Sequence, residues 1–436
     1  MKKILKSQQG IAILMVMTAI VILIGIWSEF TFESKISRIK ATNLLDKSQS
    51  KLMAESGLQL AMVRLRLYKE AYNFVLTNPN AKNNIQLQLL NQIWEIPFKF
   101  PIPENKDMNA SLKSMLENFK KDSLLEGEFT VTIENISSRL NLNLLRVSLL
   151  EKALTVNTNP GSPPDQNPPE QMTAMQSVEQ QLFNHINRII QEKTQKDELD
   201  EKYTGLDVPE LINHIRHYVS DPQSYDTPFL QESIQKFSEI KMEPKFGPFS
   251  SISEIYQVPG MDDFIVDLIK NEFSVYPVTQ IDLNKITSNM LRILLPNISE
   301  DEIKEFFTIR DNPNLPVFIN SLEDFKNIVV TRMNIISGSE FTTRFDDLKK
   351  QGMDFGPSPT LFKITSMGTM NRASYNIVAY VSVPTKQTTP TATPPSTPKP
   401  QGEASETENP TTQPGTAKPA QQAQLLDPRI IEIQIN

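Results

Sequence analysis

Cysteine is missing altogether from the 436 residues. Its absence excludes a disulfide framework, a thiolate metal centre and a thiol redox pair, so stability has to come from burial. Histidine occurs 3 times and glycine 14 times, which leaves little material for a histidine metal cluster, and no glycine-rich phosphate loop is found. A formal net charge of -7 argues against a nonspecific nucleic-acid surface, because phosphate binding draws on an excess of lysine and arginine. The length is ample for two compact domains.

What the chain does contain is one long apolar run, close to its N-terminus. A basic leader, Met1-Lys2-Lys3-Ile4-Leu5-Lys6-Ser7-Gln8-Gln9-Gly10, leads into the uncharged stretch Ile11 to Trp27, and an amphipathic helical pattern continues beyond it. A secretory signal places a small-residue cleavage site behind its apolar segment and loses that segment. No such site follows Trp27 before Ser28-Glu29-Phe30. At 1.5 Å per residue the stretch covers about 25 Å, short of the hydrocarbon core but within the lower bound for a span. Lys2, Lys3 and Lys6 put the leader on the cytoplasmic side and the rest of the chain on the other.

Past the apolar stretch, Ile36, Ile39, Leu44, Leu52 and Met53 recur among Lys35, Arg38, Lys40, Asp46 and Lys51, the pattern of a helix with one apolar face. This helix enters Ala54-Glu55-Ser56-Gly57-Leu58-Gln59-Leu60-Ala61. Further on, Phe129-Thr130-Val131-Thr132-Ile133-Glu134 alternates as a strand does, and Ser138-Arg139-Leu140-Asn141-Leu142-Asn143 follows. The leader with its Gly10-Ile11 bond resembles that of type IV prepilins and pseudopilins, in which a prepilin peptidase cuts after the glycine, the new amine is methylated, and the apolar helix stays on the mature protein. An uncleaved signal anchor is the plainer alternative. Pilin-like chains carry glutamate at the fifth mature residue, where it pairs with a neighbour's N-terminal amine; counted from Ile11, that position is Met15. Lack of this glutamate, the alanine-x-serine-glycine segment at Ala54 to Gly57 and the arginine-aliphatic-asparagine-leucine-asparagine run at Arg139 to Asn143 together resemble the K subfamily of type II secretion minor pseudopilins.

The remaining chain divides by composition. Asn157 to Pro169 is proline-rich and reads as a loop. Val178 to Ile190 and Val208 to Val219 carry apolar residues at helical spacing. Phe249 to Leu268 predicts a helix, a Val258-Pro259-Gly260-Met261 turn and a second helix; Ile281 to Phe307 is a diverged copy with Ser299 as a cap, and Phe318 to Phe325 repeats the entry. Such helical hairpins bind DNA phosphates in some proteins through amides at a glycine-rich turn. Here Asp262 and Asp263 follow the first turn and Leu295-Pro296-Asn297-Ile298 has no glycine, which argues against DNA binding; the resemblance implies that the repeats serve packing and partner contact. Leu361 to Gly368 and Ala373 to Val383 predict a strand hairpin around Thr369-Met370-Asn371, and Arg429 to Ile435 a last strand. Between them Pro384 to about Gln424 has almost no large apolar residue and reads as a disordered insertion.

His214 and His217 share a helix face at i and i+3, the spacing of a metal pair, yet no third ligand accompanies them, and a surface or interface role is expected for the histidines. The resemblance implies that no cofactor is required. It allows calcium in the helical domain, and Asp221, Ser224 and Asp226 form an acidic loop of suitable chemistry, although turn formation beside Pro222 explains them equally. No metal ligands are assigned. The expected architecture is α+β: a leader 1–10, an N-terminal helix 11–76 with its membrane part at 11–27, a pilin-like antiparallel sheet formed by 77–154 and 341–436, a linker 155–175 and an inserted, mostly α-helical domain 176–340 with helix-hairpin-helix-like repeats, the insertion 384–424 lying in the second sheet part. The resemblance implies a non-enzymatic subunit of the inner membrane with its bulk in the periplasm, at the tip of a secretion pseudopilus, where it initiates assembly. Its partners would be other minor pseudopilins, the major pseudopilin, prepilin peptidase and membrane lipid, with nucleic acid not expected. A large minor pilin of a type IV pilus and a DNA-uptake pilin are the alternatives.

Overall fold

The structure, a computed structural model, describes the chain except residues 1, 79, 82–84, 104–112, 116, 119–125, 148–173, 197–200, 204, 224–228, 279, 313–316, 351–352, 387–423 and 436, with the backbone alone at 2–9, 174–175, 177 and 201. A single helix, α1, spans Lys2–Thr77. Its first part carries the apolar stretch; its last part is amphipathic, and Ala54, Leu58, Ala61, Leu65, Tyr68, Tyr72 and Val75 recur at three- and four-residue spacing and are buried. They are covered by a five-stranded antiparallel sheet of order β1 (Phe98–Phe100), β2 (Glu128–Asn135), β7 (Leu361–Met370), β8 (Ala373–Ser382) and β9 (Arg429–Ile435).

Small residues let the helix lie close to the sheet. A Cβ on Gly57 would run into the Ser366 hydroxyl and the Val131 side chain, and one on Gly368 into the Ser50 carbonyl and the Ala54 amide. The Ser366 hydroxyl donates to the Ala54 carbonyl at 2.7 Å, so the close approach is sealed by a buried hydrogen bond. Toward the C-terminal end of α1 the gap is filled by rings instead: Trp94 and Phe362 meet edge to face at 5.2 Å, with Tyr68 against both.

The segment between β2 and β7 builds a second core of its own. Helices Ala174–Gln195, Val208–Val219, Asp263–Ile269, Ser288–Leu294 and Glu300–Arg310 bury, among others, Leu182, Ile215, Ile265, Leu291 and Phe306. Two short parallel pairings run beside this core, β3 (Leu140–Asn141) with β4 (Phe273–Ser274) and β5 (Ile281–Asp282) with β6 (Phe355–Gly356). Ser299 caps its helix in a full capping box with Glu302.

Several expectations shift. Helix Gly338–Lys350 buries Phe341, Phe345 and Leu348 in the helical core, so that core runs past residue 340 and the return to the sheet comes after Phe355. Phenylalanines at i and i+4 predict this packing, but they look equally at home on a helix laid on the sheet. Ile252–Gln257, expected as the first helix of the leading hairpin, is a 3-10 helix capped by Ser251 and closed by the Val258 amide donating to the Ile255 carbonyl at 3.0 Å. Gly260 takes φ 83 in the turn that follows, the reason a glycine stands there. The strand turn centres on Asn371 and Arg372, with Asn371 at φ 53. Pro384 to Lys386 and Gln424 to Leu426 are paired: Thr385 bridges Leu425, and the Lys386 amide donates to the Gln424 carbonyl at 2.7 Å. Residues 387–423 of the expected insertion, and 155–173 of the expected linker, lie outside the described residues.

Candidate assembly surface on the N-terminal helix

Gly10, Ile11 and Met15 sit on α1, and no other part of the described residues covers the apolar stretch. Ile11 is 54% exposed, Met15 66% and Trp27 73%. An exposed helix made of Ile, Leu, Val and Met is paid for only by contact with lipid or with other apolar helices. Gly10 lies in the helix with open space where a Cβ would stand. Glycine within a helix costs about 1 kcal/mol relative to alanine, so packing within the fold gives no reason for this residue. Gly25 is equally open; nothing in the structure explains it.

Apolar exposure continues along α1 where the sheet covers the other side. Leu45, Leu52, Val63, Leu67 and Phe74 are all more than half exposed, and their separations of 7, 11, 4 and 7 residues keep them on one flank of the helix. Of the face expected from Ile36, Ile39, Leu44, Leu52 and Met53, only Met53 is buried, while Ile39, Leu44 and Leu52 are exposed, and the expected face did not include Val63, Leu67 and Phe74. Their signal was present, since Val63, Leu67 and Phe74 are offset from the buried Ala61, Leu65 and Tyr72 by two residues, or about half a turn. Ser56, inside the alanine-x-serine-glycine segment, is half-buried and returns its hydroxyl to the Leu52 carbonyl at 2.8 Å. In that segment Ala54 and Gly57 serve the sheet contact.

The run Arg139 to Asn143 is where the chain leaves the sheet for the helical part. Leu140 and Leu142 are buried in the helical core. The Asn143 amide side chain accepts from the Phe249 amide at 2.7 Å and donates to the Val275 carbonyl at 2.7 Å, while Arg139 pairs with Glu134 at 2.6 Å. With Asn141, whose side chain donates to the Tyr276 carbonyl at 3.3 Å, these asparagines join segments more than a hundred residues apart.

The histidines are buried, not surface residues. His217 Nδ1 lies 2.7 Å from the Ser233 hydroxyl, His214 Nδ1 3.2 Å from the Pro259 carbonyl and His185 Nε2 2.9 Å from the Leu268 carbonyl. Apolar faces around them explain the outcome: His217 packs edge-on against Phe237 at 5.4 Å and tilted against Phe246 at 5.8 Å. Burial holds the His217 imidazole down at about 4 and lowers that of His214. Among the described residues no group of three or more His, Cys, Asp or Glu side chains is arranged to hold a metal ion. Asp221 pairs with Arg146 at 3.0 Å, and Ser224 and Asp226 lie outside the described residues.

At the junction of the two cores stands a buried carboxylate that sequence reading passed over. Asp282 accepts from the Asn135 side chain at 2.8 Å and from the Asn284 amide at 3.0 Å. Burial pushes its carboxyl up to about 6 in spite of those donors. Around it, the Ser137 hydroxyl takes the Thr360 and Leu361 amides, each at 2.8 Å, and the Thr360 hydroxyl donates to the Gln280 carbonyl at 2.9 Å. The sheet and the helical part are therefore tied by a hydrogen-bonded network, not by apolar contact alone.

No family model matches the chain. No curated protein matches it either. Among solved structures it is similar to a chain of the GspK-GspI-GspJ complex from the enterotoxigenic Escherichia coli type 2 secretion system, at 15% sequence identity and a TM-score of 0.43, over 77% of this chain and 93% of that one.

Proposed function

We propose that this chain is a minor pseudopilin of the K subfamily, membrane-anchored by α1 and acting without catalysis at the tip of a type II secretion pseudopilus. The observation that carries the reading is the division of labour within α1. One uninterrupted helix presents Ile11 to Trp27 bare and then becomes the spine on which the sheet is built. A helix of that kind joins subunits by its exposed half and holds the folded part at a fixed distance from the membrane. The missing glutamate at Met15 supports the tip position, since a subunit with nothing above it needs no carboxylate for a neighbour's amine. The basic leader ending in Gly10, directly ahead of an apolar helix, supports cleavage of the Gly10 to Ile11 bond by a prepilin peptidase.

Two measurements on cells expressing the full chain test this. Mass spectrometry of the membrane-extracted protein should find a methylated Ile11 as first residue, and Gly10→Val should leave the precursor; an intact Met1 on the mature wild-type protein overturns the processing step. Detergent extracts should co-purify the chain with sibling small pseudopilins, and its deletion should stop secretion. Loss of surface pili with secretion intact would assign the chain instead to a type IV pilus.

A further inference from the structure

The outer face of the sheet, opposite α1, and the helical part enclose a cleft of about 410 Å³ that the reading above does not use. That volume falls in the range of sites that take a small molecule or a few residues of peptide, and a boundary between two structural units is where such sites concentrate. We propose that the cleft binds a short acidic peptide segment of another protein, with Lys363 receiving its carboxylate.

Charge comes first. The lining carries three cations, Arg139, Lys270 and Lys363, against one carboxylate, Asp267, in a chain whose net charge is -7. The carboxylates at hand are already engaged. Asp267 is held by Lys270 at 2.6 Å, Glu134 by Arg139 at 2.6 Å, and Glu432 accepts from the Tyr276 hydroxyl at 2.7 Å and the Ser251 hydroxyl at 2.8 Å. Lys363 stands in the middle of this row, with Glu134 opposite it on β2 and Tyr380 opposite it on β8. Among the described residues it has no ion-pair or hydrogen-bond partner of its own. A cation left over after every nearby carboxylate has been taken is set for an incoming one, and such a charge-assisted bond is the stronger kind.

The other lining groups suit a peptide. The side chains of Asn271 and Ser253 also line the cleft with no hydrogen bond to another described residue, which leaves an amide and a hydroxyl for a peptide backbone. Tyr256 is 46% exposed at the rim, and the Tyr276 and Tyr380 rings, 4.3 Å apart, sit against each other in the lining. Aromatic surface with a few uncommitted polar groups is the composition of recognition sites, where rigid rings supply area at low entropy cost.

The test uses the full chain in detergent micelles, immobilised, and two heptapeptide pools in which apolar residues alternate with Asp and Glu or with Asn and Gln. Wild type should retain the acidic pool at least tenfold over the amide pool at low salt, because a hydrogen bond to a charged group is the stronger kind. Lys363→Gln should abolish the difference at unchanged melting temperature, Lys363→Arg should keep most of it, and Tyr256→Ala should weaken both pools. Equal retention of the pools, retention of neither, or an acidic preference that survives in Lys363→Gln each overturns the proposal. Failure here leaves the pseudopilin reading standing, because processing at Gly10 and assembly through α1 do not pass through the cleft.

Discussion

Gly57 and Asp282 show how much a single residue settles in this chain. At Gly57 any side chain meets the Ser366 hydroxyl and the Val131 methyl, so Gly57→Val should destabilise by roughly 1 to 3 kcal/mol through overpacking, while Gly25→Ala, with open space around it, should leave the melting temperature within error. Asp282 and His217 govern the response to acid with opposite signs. The Asp282 carboxyl stands at about 6 when folded and about 3.9 when unfolded. The native state therefore binds the proton more tightly, and its contribution is fully present below pH 4 and lost as pH rises through 6, a swing of about 3 kcal/mol. His217 stands at about 4 when folded against about 6.5 unfolded. Its contribution is complete above 6.5 and is lost as pH falls toward 4, again by about 3 kcal/mol. The two nearly cancel over the same window. Urea midpoints measured from pH 7 to 4.5 should thus fall more steeply in Asp282→Asn than in wild type and less steeply in His217→Gln; identical slopes in all three proteins would contradict the burial of both groups.

Elements are held here by pairings far apart in sequence, and the last strand is the clearest case. β9 joins the sheet only at β8, and the chain reaches it across residues 387–423. The ends of that crossing are pinned by the Thr385 to Leu425 bridge and by the Asn73 side chain, which donates to the Leu425 carbonyl at 2.8 Å and accepts from its amide at 2.8 Å. Replacing 387–423 with two glycines should leave the melting temperature unchanged within about 2 °C, because loop length costs little, whereas a deletion beginning at Thr385 should lower it by breaking the bridge. Removing Arg429 to Ile435 should prevent folding of the sheet; if it costs no more than the loop deletion, β9 is not part of the stable fold. The strands were legible in the sequence since alternation along Phe129 to Glu134 or Arg429 to Ile435 has one structural meaning. So was the Ser299 cap, whose partner Glu302 stands three residues on. Less legible was the assignment of helix Gly338–Lys350 to the helical core, because an apolar helix face does not say which surface it covers. Asp282 was not legible at all, since a lone aspartate before a turn reads as a turn former until Asn135 is brought to it from 147 residues away.

At the scale of the whole molecule the apolar half of α1 remains uncovered, so its chemistry is decided by what other chains bring to it. In the pilin-like family that the leader resembles, the N-terminal amine of one chain is paired by a carboxylate at the fifth residue of the chain below it. Cut as proposed after Gly10, this chain would have Met15 there, 66% exposed on the bare helix. A charged residue at the centre of a membrane helix costs roughly 2.5 to 3.5 kcal/mol on insertion scales unless it is paired, and Met15, near the N-terminal end of the apolar stretch, would carry a smaller cost of the same sign. A subunit at the tip gains nothing from that carboxylate and avoids its cost by carrying methionine, whereas a shaft subunit loses a contact with every neighbour. Met15→Glu separates the two positions. In a tip subunit the glutamate should leave secretion unchanged or reduced, with the protein confined to filament ends when labelled and imaged. In a shaft subunit the same substitution should restore the contact, lengthen filaments and distribute the label along them. Longer filaments decorated throughout by Met15→Glu protein would falsify the tip assignment, and a neutral or harmful effect with label only at the ends would uphold it.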